Sequence, residues 1–164
     1  MKSIGLITAL SFASIAAPAH GAPAQLLNKT ITISFTATGV ARLPQGGQTS
    51  FSTQVSQIIY VSGAGHLSMR FRATNRSGSR GGDARASFSF QGNRLVGVVP
   101  FETGARQLTI TFDPGFSRCT ASVIEGHSGG VIQRRGPDGR MYEVTGGSTS
   151  SVSCSIQSGV AFAG

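Results

Sequence analysis

Ser128 lies in the string Gly126-His127-Ser128-Gly129-Gly130, which fits G-x-S-x-G. That spacing suits a nucleophile elbow, a sharp strand-to-helix turn that exposes a serine hydroxyl for acyl transfer. Its surroundings oppose this chemistry. The residues from Val131 to Gly139 include Gly136 and Pro137, which do not sustain the helix the elbow needs, and no His follows Ser128 to complete the order Ser, acid, His.

The same string is similar to the G-D-S-G-G of trypsin-like serine proteases, and the chain order fits, with His66 first, Asp83 or Asp113 next and Ser128 last. His127 stands where that motif has Asp, and the residues around His66 do not match the protease histidine. The chain is also short of a double barrel. A Gly-rich surface loop that contains a serine explains the string without catalysis. A small serine hydrolase using Ser128 is kept as an alternative, and no catalytic residue is assigned.

Other chemistries have less material. After the leader described below, the carboxylates are Asp83, Glu102, Asp113, Glu125, Asp138 and Glu143. Asp113 and Asp138 occupy turn sequences, so acid-base work by paired carboxylates is poorly served. His66 and His127 have no partner at ligand spacing, so no metal or cofactor is expected. Asn28-Lys29-Thr30 matches a glycosylation acceptor, but the leader is bacterial in style, and the match is set aside.

Charge is the feature that speaks to partners. The chain carries 14 basic and 6 acidic residues, a net charge of +8, and every basic residue except Lys2 and Lys29 is Arg. Guanidinium forks hold phosphate, sulfate and carboxylate at two points. The candidate anion-binding groups are Arg134, Arg135 and Arg140 around one turn and Arg70 and Arg72 on one strand face, with Arg76, Arg80 and Arg85 around a Gly-rich segment. The plain alternative is a solvated basic surface. Nucleic acid is not expected, because the basic groups lack interleaved aromatic platforms and the chain is exported. Anionic envelope lipid or polysaccharide is the expected partner.

Export is read from residues 1 to 24. Lys2 supplies a positive start, Ile4 to Ala17 an apolar stretch, and Ala19, Gly21, Ala22 and Ala24 the small residues of a cleavage site. Cleavage is expected after Gly21, with Ala24 the alternative, which gives a signal peptide over 1–21 and a single β domain over 22–164. The stretch is short for a spanning helix, so no transmembrane segment is expected in the mature chain. The destination is the periplasm or the medium, where thiols oxidise. The two cysteines, Cys119 and Cys154, are therefore expected to bond to each other. Each is in phase with apolar neighbours two residues away, so the bond should face inward.

The elements that must carry these groups are strands. Of 164 residues 23 are Gly, charged residues are 12%, and ten Phe supply a core; this composition excludes charged helical bundles and coiled coils. Ile31, Ile33 and Phe35 alternate with Thr and Ser, the two-residue period of a half-buried sheet. Arg42 to Ser50 should break that strand. Strands follow at Phe51 to Ser62 and from Leu67, and Asn75 to Asp83 (NRSGSRGGD) is expected to be a loop. Gly92-Asn93 joins two alternating segments as a hairpin, Leu108, Ile110 and Phe112 mark an inward face, and Asp113-Pro114-Gly115 and Pro137-Asp138-Gly139 read as turns. Separate strands then cover Arg140 to Val144 and the neighbourhood of Cys154.

Segments such as Gly92 to Gly97, Gly104 to Asp113, Cys119 to Ile124 and Cys154 to Ile156 resemble parts of small exported proteins of rhizobium-type alphaproteobacteria. The resemblance covers most of the chain after the leader, and its firmest shared feature is the Cys pair. It implies bacterial export and brings no activity with it. The expected fold is all-β, an antiparallel meander of nine or so strands that closes into a small β-barrel, with a two-layer β-sandwich as the alternative and one disulfide. The expected role is non-catalytic, binding or structural at the envelope. Carriage of an apolar ligand inside a barrel is a further alternative.

Overall fold

The computed structural model describes residues 21–43, 46–101, 104–126, 131–135 and 139–161. The expected signal peptide falls outside these residues, apart from Gly21. The described residues form ten strands: β1 Lys29–Arg42, β2 Gln48–Val61, β3 Leu67–Asn75, β4 Gly78–Ala84, β5 Ser87–Gln91, β6 Arg94–Phe101, β7 Gly104–Phe112, β8 Cys119–Gly126, β9 Val131–Arg135 and β10 Met141–Ser158. A single 3-10 turn, Ala24–Leu26, precedes them, and the described residues contain no α-helix.

The strands form two antiparallel sheets, one of six in the order β4-β3-β2-β1-β10-β9 and one of four in the order β5-β6-β7-β8. Each run of consecutive strands is a meander, and β10 returns from the far end of the chain to lie beside β1, with Lys29 opposite Ser158. The larger sheet is curled into half a barrel and the smaller one lies against it. The curl of a barrel and the two layers of a sandwich are thus combined.

The alternation read on β1 sets the core. Ile31, Ile33 and Phe35 are buried from both sides, and with Val55, Ile59 and Val61 of β2 they meet Leu95, Leu108, Ile110 and Phe112 of the smaller sheet. Burying each such side chain contributes about 1.5–3 kcal/mol. The Cys119–Cys154 disulfide, with Cα atoms 5.6 Å apart, ties β8 of one sheet to β10 of the other. Its half-buried sulfurs pack against this core.

Three sequence expectations change. The segment Asn75–Asp83 is not a loop: β3 and β4 pair from Met69↔Ala84 to Asn75↔Gly78 around a two-residue turn. Ser77 donates its N–H to Asn75 Oδ1 at 2.8 Å to close that turn. The backbone ladder with β3 holds β4 despite its composition, and at Gly81 a side chain would press on the Phe71 carbonyl at 3.0 Å. The break between the first two strands is also narrower than Arg42 to Ser50, because β1 runs through Arg42 and β2 begins at Gln48.

Third, the segments around Val144 and Cys154 belong to one strand of 18 residues. The register against β1 shifts between Ser34 and Thr36 and again between Thr38 and Val40. Each shift places one extra residue in β10, near Ser151 (φ 53°) and Gly146 (φ 61°). These are β-bulges, which bend and twist a strand without ending it, and two in one strand promote the curl of the sheet.

Candidate functional site

Strand lengths create the site. β1 and β2 have 14 residues each, whereas β6, β7 and β8 have 8, 9 and 8. At about 3.3 Å per residue the long strands overhang the short sheet by roughly 15–20 Å. The covered half holds the core. The uncovered half of the concave face lines a cavity of about 1110 Å³.

Its floor is mainly apolar, built from Ala37 and Ala41 of β1, Phe51 and Val55 of β2, and Met69, Phe71 and Ala73 of β3, with Thr53 and Gln57 as the polar residues of the same β2 face. Ala41 and Val144 form a small buried cluster there with Phe51 and Tyr142. The Phe51 ring lies over Gly39, where a Cβ would meet Cε1 at 2.9 Å, so a larger residue there would have to displace the ring. Gln57, 1% exposed, borders the cavity, and its Oε1 accepts no hydrogen bond from the described residues.

Six arginines contribute to the wall: Arg76, Arg80, Arg85, Arg106, Arg134 and Arg135. Arg106 of β7 and Glu125 of β8 are directly opposite each other. Arg106 is 6% exposed, and its Nε and Nη2 donate to Glu125 Oε1 at 2.8 and 2.6 Å. Its guanidinium also lies 4.8 Å from the centroid of the Phe35 ring. The other carboxylate oxygen of Glu125 accepts from Arg134 of β9. Glu125 therefore joins the two sheets at the end of β8 opposite the disulfide. Between them, Thr149 Oγ1 of β10 donates to the Val123 carbonyl of β8 at 2.9 Å.

Arg76, Arg80 and Arg85 enter from the β4 edge. Among the described residues no carboxylate pairs with them, since Asp83 is held by Arg70 at 3.1 Å, Glu143 by Arg42 at 3.3 Å, and Glu125 by Arg106 and Arg134. Arg80 rests on Phe71, 5.4 Å from the ring centroid.

The sequence-derived arginines thus divide. Arg134 and Arg135 line the cavity, with Arg135 Nη1 donating to the Gly139 carbonyl at 2.9 Å. Arg140, next to Gly139 in the chain, is exposed. Arg70 and Arg72 alternate with Met69 and Phe71, so they project from the opposite face of the sheet. Sequence reasoning passed over the Arg106–Glu125 pair, although each residue is in phase with an inward apolar series, Leu108, Ile110 and Phe112 for one and Ala121 and Val123 for the other.

The hydrolase candidates are dispersed in role. His66 closes the β2–β3 turn through its backbone and is exposed. Asp83 is ion-paired with Arg70. Asp113 accepts from Ser117 Oγ at 2.7 Å and from the backbone N–H groups of Arg118 and Ser117 at 3.1 and 2.7 Å. These bonds, led by that from the Ser117 hydroxyl, hold its carboxyl below the usual carboxylate range. Ser128 lies outside the described residues, as do Glu102 and Asp138. Among the described residues no three His, Cys, Asp or Glu side chains group as a metal site. No helix among them is long and apolar enough to cross a membrane. Comparison with protein-family models, curated proteins and solved structures finds no match for the chain.

Proposed function

We propose that this chain is an exported, non-catalytic binding domain of the bacterial envelope that engages an anionic partner, lipid or polysaccharide, through the arginines of its cavity. The observation that carries this reading is the placement of Arg76, Arg80 and Arg85 along one edge of the cavity while the described acidic residues that form ion pairs serve other arginines. A guanidinium beside an apolar floor, without a carboxylate to neutralise it, gains most from an anion that arrives with its own two-point acceptor. The disulfide supports an oxidising destination. Ala22 packs against the core, which favours a leader ending at Gly21 over one ending at Ala24.

Retention on a sulfated resin tests the reading. The triple variant R76Q/R80Q/R85Q is expected to elute at clearly lower salt than R72Q/R94Q/R118Q, which removes the same charge from exposed positions elsewhere. Equal elution of the two variants would reduce the arginines to a solvated surface. The apolar floor supports a second reading, carriage of an apolar ligand in the open half of the barrel.

A further inference from the structure

The two chemistries of the cavity are separated in space. Mainly apolar side chains occupy the floor on β1, β2 and β3, and the three arginines that no described carboxylate pairs with and no backbone carbonyl holds stand along the β4 edge. The volume, about 1110 Å³, is slightly above the range of roughly 300–1,000 Å³ usual for small-molecule sites and far exceeds a bare phosphate or sulfate. A purely polar ligand would leave the floor wet. A purely apolar one would sit beside three guanidinium groups and neutralise none of them. A molecule with an anionic head and an alkyl chain satisfies both regions at once.

Resting on the anion-binding reading above, we infer that the cavity takes a single-chain anionic amphiphile as a soluble monomer. Its carboxylate, sulfate or phosphate-ester head lies against Arg80, which is directly opposite Ala73, and its chain runs over Ala73, Val55 and Ala37, while Arg76 and Arg85, beyond the two ends of β4, add positive field along the edge. Arg80 is the central contact, because the Phe71 ring beneath it holds the guanidinium at the boundary between floor and edge.

Calorimetric titration with butyrate, octanoate, decanoate and dodecanoate below any micelle concentration, and with decan-1-ol below its solubility limit, tests this on the oxidised chain. Affinity is expected to rise about fourfold per methylene, the equivalent of about 0.8 kcal/mol, until the cavity is full. Decanol should bind at least tenfold more weakly than decanoate. R80Q, at a partly exposed position, should lose about tenfold for decanoate and nothing for decanol, and A73W should abolish the dependence on chain length. Equal affinity for butyrate and dodecanoate would overturn the amphiphile and leave the anion-binding reading standing. Equal affinity for decanol and decanoate would overturn the role of the arginines. Adsorption to phosphatidylglycerol vesicles without binding of any monomer would also overturn the inference, by placing the anion site on a surface. Absence of binding to every probe would do the same, while the resin comparison would still decide the reading beneath it.

Discussion

Arg106 and Glu125 face each other across β7 and β8, and both N–H bonds of the arginine run to the same carboxylate oxygen, at 2.8 and 2.6 Å. That leaves the second oxygen to Arg134 on the other sheet. The carboxylate side chain is 7% exposed, so one buried negative charge serves two cations. Substitution of Glu125 by Ala should therefore destabilise the fold by about 3–5 kcal/mol, the usual cost of leaving buried charge uncompensated. The double variant R106M/E125L should cost much less, because Arg134, with its side chain 25% exposed, can turn to solvent. Urea unfolding of the two variants checks this. A double variant as unstable as E125A would refute it.

The disulfide should matter through the unfolded chain. It spans a separation of 35 residues, and closing a loop of that size contributes roughly 3.5–4 kcal/mol in the chain-entropy model. C119A/C154A is expected to unfold at lower denaturant concentration by that amount. Hydrogen exchange should rise first along β8 and β10, where the covalent link between the sheets has gone.

Asp113 gives the turn after β7 a pH dependence. Its carboxyl titrates below the ordinary Asp value in the folded chain, chiefly because of the bond from Ser117. The stability it contributes is thus complete above the unfolded Asp value, near pH 4, and is lost as pH falls through the lower folded value. D113N should flatten the acid limb of the stability curve below about pH 4, where unmodified carboxylates take up protons. An unchanged acid limb in D113N would contradict this assignment.

The non-catalytic reading gives Ser128 no nucleophilic role. A fluorophosphonate probe is expected to leave the native chain unlabelled, with mass spectrometry of the Ser128 peptide as the readout. Stoichiometric labelling lost in S128A would restore the hydrolase.

Residue period and the number of cysteines made part of this molecule legible. The alternation at Ile31, Ile33 and Phe35, the turn at Gly92-Asn93, and the pairing of Cys119 with Cys154 all depend on local spacing or on the number of thiols. The strand over Gly78–Ala84 was not legible, because nothing in S-R-G-G-D favours extension and the ladder supplied by β3 decides it. Arg140 to Val144 and the neighbourhood of Cys154 read as separate strands, whereas β10 runs through both and only bulges near Gly146 and Ser151. The cavity was half visible: Arg134 and Arg135 stood out as neighbours, whereas Arg76, Arg80 and Arg85 join them only through the curl of the larger sheet. Arg106 was hidden by its charge, since an inward arginine makes sense only once its partner on the next strand is known.

The pairing of β1 with β10 has a consequence for how the chain acquires its shape. β1 is central in the larger sheet, yet the strand that completes one of its two ladders follows the other nine described strands in the chain, so half its hydrogen bonds wait for a closure over more than 100 residues, as between Lys29 and Ser158. Such non-local closure slows folding. Gly159 donates its N–H to the Asn28 carbonyl at 2.8 Å, so a circular permutant spliced at that junction and opened at Gly92-Asn93 would convert the most distant contact into a hairpin, and it should reach the native state sooner than the original order.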